Sequence, residues 1–186
     1  KSALLQQAKV SASQARVESA ELSKFGWSLQ HSDTLEAQTA ALESLVGKQA
    51  VIREDARVAA DNLAIALDES RTYVRKLRAA LRPILRALPH GDATAEMFKS
   101  GVSLGNAANV SAFLLKIRPG VEKLASQLQS VFPGTPPVQA LDDLRAKLDA
   151  ASTSATVARN KIPELTQAMN EAKGQVMLTL RDLLQF

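Results

Sequence analysis

The sequence predicts an all-α protein: an elongated, kinked, up-and-down bundle of about four long helices joined by short turns. The first observation behind this class is a seam. Leu35, Leu42, Gln49, Ala56, Leu63, Ser70, Leu77 and Ile84 recur every seven residues, with Gln38, Leu45, Ile52, Ala59, Ala66, Tyr73, Ala80 and Ala87 between them. Steps of 3, 4, 3, 4 place one narrow face of a helix against a partner helix. The second is composition. Hydrophobic residues are 46% of the chain but aromatics only 4%, so the apolar content is spent on small side chains that let helix backbones approach. Ala, Leu, Gln, Glu, Lys and Arg dominate, and all are good helix formers. The third is that no alternating run rich in Val, Ile and Thr marks a strand.

Taken in order, residues 2–30 read as a first helix. Its seam runs through Leu5, Ala8, Ala12, Ala15, Ser19, Leu22, Gly26 and Leu29. His31-Ser32-Asp33 reads as the turn that ends it. Asp33 with Glu36 three residues later has capping-box spacing and sets the start of the second helix. That helix runs over 33–88, and at ~1.5 Å rise per residue it is about 80 Å long. Its heptad phase survives Gly47, which argues for one helix rather than two. Pro83 removes the N–H that would bond back to Ala79 and predicts a kink.

Leu88-Pro89-His90-Gly91-Asp92 is a break. Asp92 or Thr94 then caps a short helix over 93–103, interrupted by Gly101, Gly105 and Asn106. A third long helix resumes at Ala107, with Val110, Leu114, Ile117, Val121, Leu124, Leu128 and Val131 on one face. Pro119-Gly120 kinks or splits it. Phe132-Pro133-Gly134-Thr135-Pro136-Pro137 is the strongest turn, with Thr135 placed to cap and the prolines suited to a first helical turn. The last helix carries Leu141, Leu144, Leu148, Ala151, Ala155, Ala158, Ile162, Leu165, Met169, Ala172, Val176 and Leu180 in continuous phase through Pro163. Asp142-Asp143 reads as an acid pair in its first turn, complementing the helix dipole. Short turns make neighbouring helices antiparallel. The chain is therefore expected to form a single domain over 1–186, built of helix hairpins at about 2–88 and 93–186. The first helix folds back over the first half of the second, the third covers its second half, and the last runs alongside.

Composition also narrows chemistry. With no cysteine there are no disulfides, thiolate metal sites or cysteine nucleophiles. The positions three before His31 and His90 are Ser28 and Ala87, so the Glu-x-x-His pattern of carboxylate-bridged metal bundles is missing. No metal and no cofactor are predicted. There is no Gly-rich phosphate loop and no acid–base constellation, so the chain does not read as an enzyme, and no small-molecule substrate is evident. No run of ~18 apolar residues spans a membrane. The chain begins at Lys1-Ser2 without Met, which suggests a processed or excised piece. The compartment is open between cytoplasm, slightly favoured, and an extracytoplasmic space.

One stretch has a chemical accent. Arg71, Arg75, Arg78, Arg82 and Arg86 step 4, 3, 4, 4, with Lys76 nearby and no acid between Glu69 and Asp92. At ~100° per residue they share a strip about 80° wide. A rigid row of guanidinium groups suits phosphates or anionic head groups. The bland reading is a solvated stripe, or one paired with Asp142, Asp143, Asp149, Glu164 or Glu171 on a neighbouring helix. A membrane-surface reading of Leu77–Leu88 competes with the bundle for the same apolar face.

The leading expectation is a non-enzymatic helical scaffold or interaction module, binding a protein partner or a second copy through coiled-coil-like heptad faces. One alternative is nucleic-acid or anionic-surface binding through the arginine row at 71–86. Another is a ligand-sensing helical bundle belonging to a larger receptor.

Overall fold

The computed structural model describes residues 2–89, 92–99, 103–132 and 134–185. Among them there is no strand, and the protein is an all-α bundle. The helices are α1 (Ser2–Val17), α2 (Ser19–Leu22), α3 (Leu29–Ala87), α4 (Ala93–Met97), α5 (Ala107–Lys123), α6 (Ala125–Leu128) and α7 (Pro137–Leu184), with a 3-10 turn at Ser23–Phe25. The two long helices, α3 and α7, pack together.

The chain divides into two compact units. The first comprises 1–55 and 158–186, and the second 56–157. In the first unit α1 meets the opening half of α3 and the closing half of α7. Its core is thin: Ala8 and Ala12 of α1 lie against Leu35 and Leu42 of α3 and Val176 and Leu180 of α7. Alanines on the α1 face let that helix sit close, as its small-residue seam predicts. Polar seam positions are satisfied where they meet. The Thr179 hydroxyl donates to Gln38 Oε1 at 2.8 Å, and Arg16 pairs with Asp33 and Glu36.

The second unit holds the heavier core. Val74, Leu77 and Leu81 of α3 pack with Val110, Leu114, Ile117 and Val121 of α5 and with Leu141 and Leu148 of α7. Tyr73 donates its hydroxyl to the Pro137 carbonyl at 2.7 Å, and its ring lies 5.3 Å from that of Phe132. Arg118 of α5 makes a two-pronged pair with Asp142 of α7, at 3.0 Å from both Nε and Nη2. Gly120 is required by a close approach, because a Cβ there would lie 2.8 Å from the ring tip of the buried Phe98.

The heptad seams hold. Every predicted seam residue of α3 is buried or half-buried except Ala87, and so is every one of α7. The buried Ser70 is accommodated because its hydroxyl bonds back to the Ala66 carbonyl at 2.8 Å. Both long helices are continuous, α3 through Gly47 and Pro83 and α7 through Pro163.

Helix ends differ from expectation. The first helix does not reach residue 30. It gives way after Val17 to α2 and the 3-10 turn, and Gly26 at φ +91° turns the chain in a conformation that favours glycine. The turn is thus Gly26–Ser28, and α3 begins at Leu29, ahead of the predicted Asp33. Ser28 starts it: its carbonyl accepts from His31 N–H at 2.9 Å, and its own N–H donates to His31 Nδ1 at 3.0 Å. That is the reciprocal logic of a capping box with histidine in the acid's place. The buried Trp27 locks the corner by donating Nε1–H to Ser32 Oγ at 3.0 Å.

Asp92 caps α4 as predicted, accepting from Thr94 N–H at 2.6 Å, and that bond holds its carboxyl below the usual carboxylate range. The helix ends at Met97 rather than 103. Positions His90, Gly91, Gly101 and Pro133, parts of predicted breaks, lie outside the described residues. Asn106 caps α5 through Asn109 N–H at 2.8 Å, and α5 continues through Pro119-Gly120 before ending at Lys123. Thr135 does not cap α7. The Pro136 carbonyl accepts from Ala140 N–H, which places Pro137 in the first helical position, where a missing N–H costs nothing. Asp142-Asp143 consequently fall in the second turn of α7, not the first.

Candidate interaction surfaces

The predicted arginine row lies on the second half of α3, in the second unit, and its five members have separate fates. Arg71 is half-buried. Its Nε donates to the Leu104 carbonyl at 2.9 Å and its Nη2 to the Gly105 carbonyl at 2.6 Å, so it fastens the loop before α5. Arg78 lies over the Phe113 ring, 5.1 Å from its centroid, a cation–π placement. Arg75 reaches Asp68 at 3.6 Å with both side chains largely in water. Arg82 and Arg86 are exposed and make no ion pair or hydrogen bond among the described residues. Lys76 is exposed too.

The acids named as internal partners for this row are mostly engaged elsewhere. Asp142 holds Arg118, Asp149 sits 3.7 Å from Arg145, and Glu171 accepts from Gln167 at 2.9 Å. Helix α3 brings its other acid near here, Glu69, to Lys147 at 2.5 Å. The free end of the row is therefore Arg82 and Arg86, with Arg75 weakly held two to three turns before them. The apolar face that a membrane surface would need is not available: Leu77 and Leu81 are fully buried in the second unit's core.

A different surface was legible in the spacing but passed over. Val51, Val58 and Ile65 of α3 recur every seven residues and are 60%, 44% and 54% exposed. Val51 belongs to the first unit; Val58 and Ile65, in the second, fall about 20° apart at ~100° per residue and point well away from the seam. On α1, Val10 and Val17 are likewise seven apart and exposed. These residues were missed because the stronger seam, one third of a turn away, accounts for the amphipathicity of each helix by itself. Two phases of apolar heptads in one helix are the signal that would have found them.

Among the described residues no three His, Asp or Glu gather as a metal site, and no helix is long and apolar enough to cross a membrane. Comparison with known proteins adds no family: no family model, no curated protein and no solved structure matches this chain.

Proposed function

We propose that this chain is a non-enzymatic helical interaction module that associates, with a second copy or a protein partner, through an exposed apolar heptad face. The observation that carries the reading is the exposure of Val58 and Ile65, seven residues apart on α3 in the second unit. Side chains scattered singly on a surface need no explanation, but a repeat of seven on a helix is the register a second helix reads. The flanking Arg57 and Asp61, paired with each other at 2.9 Å, supply the charged edge that such a face carries in coiled coils.

Sedimentation equilibrium from low micromolar to the highest soluble concentration tests this. Wild-type protein is expected to self-associate, and the Val58→Asp/Ile65→Asp variant to weaken that association by about tenfold or more with helicity unchanged. A strict monomer across the range contradicts self-association and moves the reading to a protein partner.

A second reading rests on the free end of the arginine row. Arg75, Arg82 and Arg86 are exposed, and two of the acids on α7 that could have neutralised them, Asp142 and Asp149, are paired with Arg118 and Arg145 instead. Three phosphate contacts by these residues on duplex DNA would lose about fortyfold in affinity between ~50 and ~200 mM salt. Binding that is absent at low salt, or unchanged in Arg75→Ala/Arg82→Ala/Arg86→Ala, ends this reading.

A further inference from the structure

A cleft in the first unit has a composition that neither reading uses. It lies where α1, the opening half of α3 and the closing half of α7 converge, and its volume is about 100 Å³. Leu4, Leu5, Leu42, Val46 and Met169 form its apolar wall, and Leu42 and Met169 are themselves buried. The cleft opens to solvent along α7, where Thr166, Asn170 and Lys173 stand exposed one turn apart, with Gln49 of α3 opposite.

The charge on that rim has one sign. Among the described residues that line the cleft, Lys173 is the one charged side chain, and none is an acid. Of the nearby acids, Glu43 is paired with Lys9 at 2.8 Å, and Glu171, which accepts from the neutral Gln167 amide and keeps its charge, is not among the lining residues. Lys173 makes no ion pair among the described residues, and Asn170 keeps its amide donors free beside it. Thr166 has already donated its hydroxyl proton to the Ile162 carbonyl at 2.8 Å. An apolar wall ending in an ammonium and an amide is complementary to an apolar chain ending in an anion.

Size narrows the class. An apolar cavity of ~150 Å³ admits a benzene-sized guest, so this narrower cleft fits a single chain of a few methylenes. Met169 has three flexible bonds and a polarisable sulfur, which suits a wall that adapts to such a chain.

We propose that this cleft binds a short-chain amphipathic carboxylate, its alkyl chain against Leu42, Val46 and Met169 and its carboxylate at Lys173 and Asn170. The site needs neither the heptad face nor the arginine row.

The methionines make the test local. The chain has three, Met97, Met169 and Met177, and only Met169 lines this cleft. Full-length protein carrying ¹³C-methyl methionine is titrated with pentanoate, 1-pentanol and pentylammonium. Pentanoate is expected to shift the Met169 signal saturably and leave Met97 in place, with 1-pentanol weaker and pentylammonium weakest. Lys173→Gln, at an exposed position, is expected to weaken pentanoate by about tenfold or more while circular dichroism stays the same. Equal responses to pentanoate and pentylammonium, no Met169 shift with pentanoate, an unchanged Lys173→Gln affinity, or equal shifts of all three methionines would each overturn the proposal.

Discussion

At the scale of single residues, the same side chain does different work depending on what the fold places beside it. Arg71 and Arg82 occupy equivalent positions in the 3-4 stepping row, yet one is tied to two backbone carbonyls and the other stands in water. Removing Arg71 leaves the half-buried Leu104 carbonyl and the exposed Gly105 carbonyl without their charged donor. Arg71→Ala is expected to lower unfolding free energy by about 1–3 kcal/mol, whereas Arg82→Ala and Arg86→Ala stay within ~0.5 kcal/mol. Urea melts of the three variants check it, and equal losses would mean that the row acts as one structural unit. Tyr73 gives a pH-dependent counterpart. Burial, and then the nearby Asp142 charge, push its hydroxyl up to about 12, while an unfolded tyrosine titrates near ~10. Between these values the unfolded state binds fewer protons than the folded one. Stability contributed by the buried hydroxyl is therefore complete below pH ~10 and falls as pH rises through that window. Tyr73 is the chain's single tyrosine, so tyrosinate absorbance reports it alone. A midpoint close to 12 is expected in folded protein, and one near the ordinary value would show that the Pro137 bond is not kept.

At the scale of elements, the two long helices were legible because their apolar phase is longer than any local interruption. Gly47, Pro83 and Pro163 each cost local stability, but breaking the helix would also have thrown the seam beyond it out of register with its neighbours. Burial of Leu42 before Gly47 and of Ala59 and Ala66 after it shows which effect wins. The helix ends were less legible. Asp33-x-x-Glu36 has the spacing of a cap, but both side chains are taken by Arg16 of α1, and a serine–histidine pair with a buried Trp27 starts the helix instead. That outcome depends on contacts that no local pattern encodes. Thr135 does not cap because α7 starts at Pro137 and the Pro136 carbonyl takes the first helical bond, from Ala140, which leaves Thr135 one position too early. Gly47 itself offers a clean test. A Cβ there meets nothing within 4 Å, so the glycine has no steric reason to be in mid-helix. Gly47→Ala is expected to stabilise the protein by about 0.5–1 kcal/mol, read as a raised melting temperature. A loss of stability would mean that α3 departs from regular helix at this point.

At the scale of the molecule, each compact unit is built from one half of α3 and one half of α7, and their cores differ in kind. The first relies on alanines that bring α1 close, the second on stacked Leu, Val, Ile and Phe side chains. The class of fold followed from periodicity, composition and the lack of strand-like alternation. The apolar heptads that face away from the cores did not, because a sequence pattern reports that a residue is apolar and not whether it has found a partner. Val51, Val58 and Ile65 became informative only once the seam beside them was seen to be occupied. Lys173 was unremarked for the same reason, since its meaning lies in the apolar wall beside it and in a cleft lining that carries no acid among the described residues.

The most direct test of association through the α3 heptad face uses the absence of cysteine in this chain. Single Val58→Cys, Ile65→Cys and Ala60→Cys variants would be oxidised at micromolar concentration and resolved without reductant. Val58 and Ile65 lie on the proposed face, and Ala60 is exposed on another side of the same helix. A second copy docked in parallel brings Ile65 to Ile65, and one docked antiparallel about Val58 brings Val58 to Val58. Disulfide-linked dimer from at least one of these two positions, and little from Ala60→Cys, is the expected result. Equal crosslinking at all three positions, or none at any, would contradict self-association through this face.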